Sequence, residues 1–467
     1  MTILGLTGTS LLVFLIGVTL LVGFGADWLA RRFRVPDVLW LIGLGIAAGP
    51  VFHLVLPASF LPIAPLLGAA TLALILFDAG IDLKVRLVRP FAGSALLFAL
   101  ATYIGSSFVL FVVGDLVLFP HETTLALLFG TALGCTSGAV IIPLANRFGL
   151  ATGLRSFLHL DSAVEDALAV VSVTTVLALL SPSSPSLALN LTSSLILPLP
   201  VGIVFGFAAG LLWLLFLYGW QDRPFTALAT LGFLFVVYAG AEVAGGSGIL
   251  AALVFGVVLG NERFVRRFLR RTRPFEISRD LRKVEVEIAF VLRSFFLFLI
   301  GVIASLANPG LVPGVAIVVL IVVLLGLRRA VFPAVTRLSK VPRAWANAVA
   351  AFSGRGLTSA VLLFVALETV PEVTRVLFPA VLLIVGTDLA MTIWLFVEPP
   401  QREPRRFEAE HRWAEAATEF IALTEEEGPL ANESAFEEGP SSVPAPSAPP
   451  GGRLPPPLPK GPIDRDR

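Results

Sequence analysis

Thirteen apolar runs of about 20 residues, separated by charged or Pro/Gly/Ser-rich stretches, constrain this chain more than any other feature. They lie near residues 3–25, 38–56, 62–80, 91–113, 122–145, 157–180, 191–218, 225–243, 247–260, 286–306, 311–329, 344–368 and 375–397, the ninth being short. Hydrocarbon offers the backbone no water, so a spanning segment must close its own hydrogen bonds, and runs of this length do so as helices. The expected fold is therefore an all-α polytopic membrane protein with about 13 transmembrane helices. Composition agrees, since 56% hydrophobic and 14% charged residues in 467 exceed what a soluble core uses. A formal net charge of +1 gives no basic excess that would point to nucleic acid. One cysteine, Cys135, excludes an internal disulfide and a Cys-based metal cluster, and the four histidines are scattered, so no resident cofactor is expected. The first run lacks a basic n-region and is long enough to span, which makes it a helix rather than a signal peptide.

Loop charge sets the orientation. Arg31, Arg32 and Arg34 follow the first run, Lys84, Arg86 and Arg89 the third, Arg147 and Arg155 flank the fifth loop, and Arg223 follows the seventh run. The ninth loop, "NERFVRRFLRRTRPFEISRDLRK", is the most basic, and the eleventh carries Arg328, Arg329, Arg337, Lys340 and Arg343. All of these fall on one side, and the opposite loops contain no Lys or Arg; only Arg375 begins the last run from that side. The N-terminus is expected outside and the C-terminus in the cytoplasm, as for a multi-pass protein of the cell (inner) membrane. Residues 1–398 form the transmembrane domain. Residues 399–467 form a cytoplasmic tail with an amphipathic helical stretch followed by a Pro-rich segment expected to be disordered. The ninth loop's arginines fix topology, or with Phe264 and Phe268 form a lipid-sensing patch.

Carboxylates stand where hydration is lacking. The sixth run begins "HLDSAVEDALAVV", residues 159–171, and places Asp166 roughly ten residues, about 15 Å, into the membrane. Ser162 and Asp166 share a helix face; Asp161 lies one turn nearer the cytoplasm, and Glu165 points about 100° away from Asp166. Such acids are expensive without water, a cation or a basic partner, so function is the default reading for Asp166, with a structural ion pair as the bland one. For Glu165 the two readings stand level. The fifth run contains "GTALGCTSGAVIIPL" and the twelfth "AVAAFSGRGLTSAVLLF". Both put Gly, Ser and Thr mid-run, where a helix can unwind, and such interruptions at corresponding places in two halves point to a transporter site near the midplane. Each is second from the end of its group of six, so the halves form two inverted six-helix repeats with the seventh run as connector. Close packing of small residues explains the glycines but not a charged Arg355 among them. Arg293, within "FVLRSFFLFLIG", cannot lose its proton and needs an anionic partner, expected to be Glu165 or Asp161. Asp78 ends the third run, in the transport path or as an interfacial residue near Lys84.

"TSGAV", "DSAVEDALAVV", "LRSFFLFLIG", "FSGRGLTSAVL" and "LFDAGIDL" together resemble the motifs of the monovalent cation:proton antiporter superfamily, nearest to its prokaryotic sodium/proton exchanger branch, over roughly residues 5–397. The resemblance implies two crossed, unwound helices, a homodimer, and exchange of a monovalent cation, foremost Na+, for H+ by alternating access. It implies that Asp166 binds cation and proton in turn, that Ser162 and Thr136 contribute oxygens to the transported Na+, and that Asp78 lies near the ion. Arg293 and Arg355 would organise the core by pairing with acids, alongside Glu165 and Asp161. Two positions depart from the branch. Thr136-Ser137-Gly138 replaces Thr-Asp-Pro, so Ser137 stands where an acid bridges the crossed helix ends, and Glu165-Asp166 replaces Asn-Asp. The alternative is a K+/H+ antiporter or K+ efflux system of the same superfamily, with Li+ a further candidate ion. No "TVGYG"-like filter supports a K+ channel, and an intramembrane enzyme using paired acids would leave the interrupted helices unexplained.

Overall fold

The computed structural model describes residues 9–33, 35–53, 64–83, 92–180, 197–220, 225–262, 279–303, 311–337 and 341–398, and among these every regular element is helical. In chain order the α-helices are α1 (Thr9–Phe33), α2 (Asp37–Ile46), α3 (Ala64–Asp82), α4 (Ala92–Val113), α5 (Thr123–Leu133), α6 (Gly138–Phe148), α7 (Thr152–Leu180), α8 (Pro198–Trp220), α9 (Thr226–Val243), α10 (Gly248–Gly260), α11 (Arg279–Ile303), α12 (Leu311–Arg337), α13 (Ala346–Ala351), α14 (Leu357–Thr369) and α15 (Thr374–Val397). Helical segments lie on each of the thirteen apolar runs. The fifth and twelfth runs are the two that divide, into α5 with α6 and α13 with α14. The expected tail beyond residue 398 and most of the arginine-rich ninth loop, with Phe264 and Phe268, lie outside the described residues.

Among the described residues six segments are long and apolar enough to cross a membrane: 92–118, 123–148, 198–219, 226–243, 312–337 and 371–397. Their outer faces suit lipid. On α12, Val315, Val318, Val319 and Val322 are exposed while Ile317, Leu320 and Leu324 are buried, so the helix is apolar all round, as a membrane span is. The protein is a multi-pass membrane protein.

Among the described residues two hydrophobic clusters hold the helices. One joins α3, α8, α9 and α10, with Phe77 stacked on Phe255 and Trp213 on Phe233. The larger gathers α2, α4 to α7 and α11 to α15 around the two broken helices. Within it α2 and α11 run parallel in close contact, because Gly45 lies against Gly301 and Phe298. A methyl group added to Gly45 would meet Gly301 Cα at 2.8 Å, whereas one added to Gly43 would meet nothing within 4 Å. Small residues are what let two membrane helices approach backbone to backbone. Gly45→Ala is therefore expected to destabilise the detergent-solubilised protein by about 1–3 kcal/mol through overpacking. Gly43→Ala should leave it unchanged or gain up to about 1 kcal/mol of helix propensity. Equal melting temperatures for the two variants would refute the packing.

Candidate functional site at two broken helices

Both interruptions arise where small and polar residues weaken the helix. Residues 134–137, Gly-Cys-Thr-Ser, separate α5 from α6, and residues 352–356, Phe-Ser-Gly-Arg-Gly, separate α13 from α14; both stretches are buried. Backbone groups freed at a buried break need partners. Here the breaks bond to each other, the Ser137 amide donating to the Gly354 carbonyl at 2.9 Å. The Arg355 side chain reaches from the second break to the first, where its Nε donates to the carbonyl of Leu133, the last residue of α5. The backbones unwind where expected, and they unwind against one another.

The sequence of α7 then assigns two jobs to two adjacent faces. Asp161 and Glu165 share one face; Ser162 and Asp166 share the next, about 100° away. All four are buried.

Glu165 is held from four directions. Its Oε2 accepts from the Thr136 amide at 2.7 Å and the Thr136 hydroxyl at 2.6 Å. Its Oε1 accepts from the Thr102 hydroxyl at 2.6 Å and from Arg328 Nη1 at 3.1 Å. Four donors fill the lone-pair capacity of an ionised carboxylate. Arg328 Nη2 also donates to Asp161 Oδ2, and its Nε lies 3.5 Å from the Val349 carbonyl in α13. The guanidinium is 1% exposed and stands 5.0 Å from the centroid of the Phe98 ring, which packs edge-on against Phe332. Ser137 stands where the resembled branch has an acid; in this chain the Thr136 N–H of the first break is satisfied by Glu165, on α7.

The other face of α7 differs. Asp166 is 3% exposed and its Oδ1 has no hydrogen-bond partner. The groups around its carboxyl include Thr358 of α14, Cys135 and the backbone of Gly138, the first residue of α6. Ser162 Oγ donates to the His159 carbonyl at 3.1 Å and would meet a methyl group on Gly138 at 2.9 Å. Asp166 and Ser162 thus face the positive N-terminal end of α6, a place that favours a negative charge without neutralising it. Ser137 Oγ, in the break, is buried and also without a partner.

The expected partner of Arg293 is corrected by this geometry. Arg293 Nη2 bonds neither Glu165 nor Asp161 but Asp37 Oδ2, at 2.7 Å. The cause is helix adjacency: the parallel contact of α2 with α11 that sets Gly45 against Gly301 also sets Asp37, eight residues earlier on one helix, opposite Arg293, eight earlier on the other. The two acids expected to hold Arg293 are held instead by Arg328, which the loop reading assigns to topology. Asp78 stands half-buried on α3 beside Ala79, whose carbonyl accepts from the His159 side chain. His159 precedes Asp166 by seven residues, about 10 Å along α7, so Asp78 belongs to the level of His159 rather than of Asp166. Sequence reading also passes over Thr102, Thr358 and a fully buried Asp388 on α15.

Removing Arg328 leaves two buried acids without their cation, a loss of roughly 3–5 kcal/mol. Arg328→Ala is therefore expected to lower the melting temperature sharply, while Arg329→Ala, next to it but exposed, should change it little. Similar melting temperatures for both would overturn the assignment.

Known proteins share this arrangement of helices. The family described as sodium/hydrogen exchanger, transmembrane, matches residues 2–397. The chain is 28% identical over 237 residues to the K(+)/H(+) antiporter NhaP2 of Shewanella sp. (strain ANA-3), covering 50% of this chain and 41% of that protein. It is 25% identical over 260 residues to Na(+)/H(+) antiporter 1 of Methanocaldococcus jannaschii, covering 53% and 60%. The matches thus span about half the length of these relatives. The fold of the sodium proton antiporter MjNhaP1 from the same archaeon superposes with a TM-score of 0.67 at 20% identity, over 83% of this chain and 95% of that one. With the family matched along nearly the whole helical region, the chain belongs to the sodium/hydrogen exchanger family, in the monovalent cation:proton antiporter superfamily.

Proposed function

We propose that the protein is a secondary transporter, not an enzyme, that exchanges a monovalent cation for H+ by alternating access, with both ions competing for Asp166. The observation that carries this reading is the contrast on α7: Glu165 is saturated by four donors, whereas Asp166, one residue on and as deeply buried, keeps a free oxygen and no arginine. An ionised Asp166 with nothing bound is unstable in a low-dielectric core, and either a cation or a proton neutralises it. Only the loaded site then crosses the membrane's apolar middle cheaply, which makes exchange obligatory. Ser162, Thr136 and Thr358 offer the neutral hydroxyl oxygens that a hard monovalent ion accepts. Asp161 and Arg328 fix the neighbouring face of α7, and Asp78, at the level of His159, lies on the approach rather than in the binding shell.

Na+ is the foremost cation. K+ is the second reading, favoured by the name of the Shewanella relatives. The arginine-rich loops support a cytoplasmic C-terminus, an outside N-terminus and placement in the cell membrane, and the family resemblance supports a homodimer.

Asp166→Asn keeps size and hydrogen bonding but cannot take up and release a proton. In vesicles carrying a pH dye, the variant is expected to lose cation-driven proton flux while keeping the parent's melting temperature. Near-normal flux would sink the mechanism. Comparing Na+, K+ and Li+ gradients in the same assay assigns the ion.

With Glu165 bonded to Arg328, Thr102 and Thr136 and Asp166 alone open to an ion, one proton is expected to exchange for one cation without net current. Parent exchange should therefore be indifferent to a K+/valinomycin clamp. Voltage-dependent flux that disappears in Glu165→Asn would make Glu165 a second proton carrier instead.

A further inference from the structure

Asp388, on α15, has no part in the exchange reading above and is 0% exposed. Neither of its carboxylate oxygens has a hydrogen-bond partner. A methyl group added to Gly354 would meet Asp388 Oδ1 at 2.6 Å, so the carboxyl rests on the bare backbone of the second break. Arg355, in the same break, is bonded through Nε to Leu133, and its buried Nη1 has no partner. Two complementary groups, each with unused bonding capacity, thus stand at the residues that tie one broken helix to the other.

The charged groups facing Asp388 are Arg355 and, from α2, Asp37, itself bonded to Arg293. Of the other elements packed on α15, α5 and α13 contain no ionisable residue, and the buried arginine of α12, Arg328, is committed to Asp161 and Glu165. The ionisable residue of α14, Glu368, is next to its last position, and Glu372 precedes the first residue of α15 by two, far along the helix from Asp388.

We propose that Asp388 takes up and releases a proton during exchange and acts on it through Arg355, as a positioning residue for the crossed breaks. With the O–H bond formed, the side chain is neutral and tolerates a site with no donor, and Arg355 stays on Leu133. When that bond breaks and the proton leaves to water, a buried carboxylate without donors is costly, and the idle Nη1 of Arg355 is the counter-charge within the same cluster. Drawing the guanidinium towards Asp388 loosens its hold on the carbonyl end of α5, three residues before Thr136. This inference rests on the exchanger reading and adds to it a second titrating group that moves no net charge across the membrane.

The test uses the full chain, in vesicles at a fixed Na+ or K+ gradient and in detergent, from about pH 6 to about pH 8.5. Across the range where Asp388 exchanges its proton, the ratio of parent to Asp388→Asn rates is expected to change by up to about tenfold per pH unit, the limit for one linked proton. Asp388→Glu should keep the parent's slope with its midpoint displaced. The melting-temperature difference between parent and Asp388→Asn should likewise vary with pH, a readout that needs no transport. A rate ratio and a melting difference both constant with pH would overturn the proposal, as would a folded Asp388→Glu that behaves like Asp388→Asn. A current that appears or vanishes in Asp388→Asn would overturn the positioning role and make the residue a carrier. If Asp388→Asn does not fold, the displaced midpoint of Asp388→Glu decides, an unmoved profile refuting the idea. Absence of exchange in the parent at every pH would refute the exchanger reading alone, and the melting arm would still decide on Asp388.

Discussion

The buried guanidinium of Arg328 is the interaction on which the rest of the site depends. It cannot shed its proton, and it lies with Asp161 and Glu165 where stripping water from each charge costs several kcal/mol. One cation against two acids does not balance. The second acid is tolerated because Thr102 and the amide and hydroxyl of Thr136 also donate to Glu165. That requirement ties α4, α7 and α12 to the first break, since the carboxylate is satisfied only while the chain at Thr136 is unwound and turned towards it. The break is thus fixed by charge compensation as much as by the poor helix propensity of Gly134 and Thr136.

The helix ends are arranged on the same principle. A helix ends in unpaired carbonyls that attract cations and begins with unpaired N–H groups that attract anions. The carbonyl end of α5 meets Arg355 and that of α13 meets Arg328. The N-terminal end of α6 faces Asp166. An arginine on Asp166 would neutralise it permanently and leave nothing for a transported ion to do; a helix end stabilises the charge more weakly and leaves the oxygen open. One residue step along α7 therefore separates a carboxylate bonded on every side from one that keeps an oxygen open.

How much of this was legible in the sequence follows from what each signal depends on. Apolar runs and interruptions by Gly, Ser and Thr are local, and the structure places helices and breaks where they fall. Pairing is not local. That a buried cation needs an acid points Arg293 to Glu165 or Asp161; the acid it has is Asp37, decided by the contact of α2 with α11, which no residue pattern near Arg293 encodes. Arg328 is hidden in the sequence because two adjacent arginines at the end of an apolar run look like a loop, whereas α12 continues to Arg337. Its periodicity held the clue: Ile317, Leu320, Leu324, Arg328, Phe332 and Val335 are all buried, three or four residues apart on one stripe. Arg329 falls off that stripe and is exposed. Asp388 gave a weaker signal, a single acid in a long run with no motif about it.

Counting the charges around the breaks shows which can change. Asp161, Glu165, Asp166 and Asp388 are the acids, and Arg328 and Arg355 the cations, all of them buried. If every acid were ionised, two negative charges would remain uncompensated in a buried, low-dielectric region, so at most two of the four can be ionised cheaply while no ion is bound. Asp161 and Glu165 are the two already bonded to an arginine. The remaining two have oxygens without donors, and they differ in what else is near. Asp166 is beside hydroxyls and the start of a helix, which suits a cation that arrives from solution, whereas Asp388 lies against a bare glycine and an arginine already in place. On the proposed reading the first trades its proton for a transported ion, and the second only for a guanidinium that never leaves the protein.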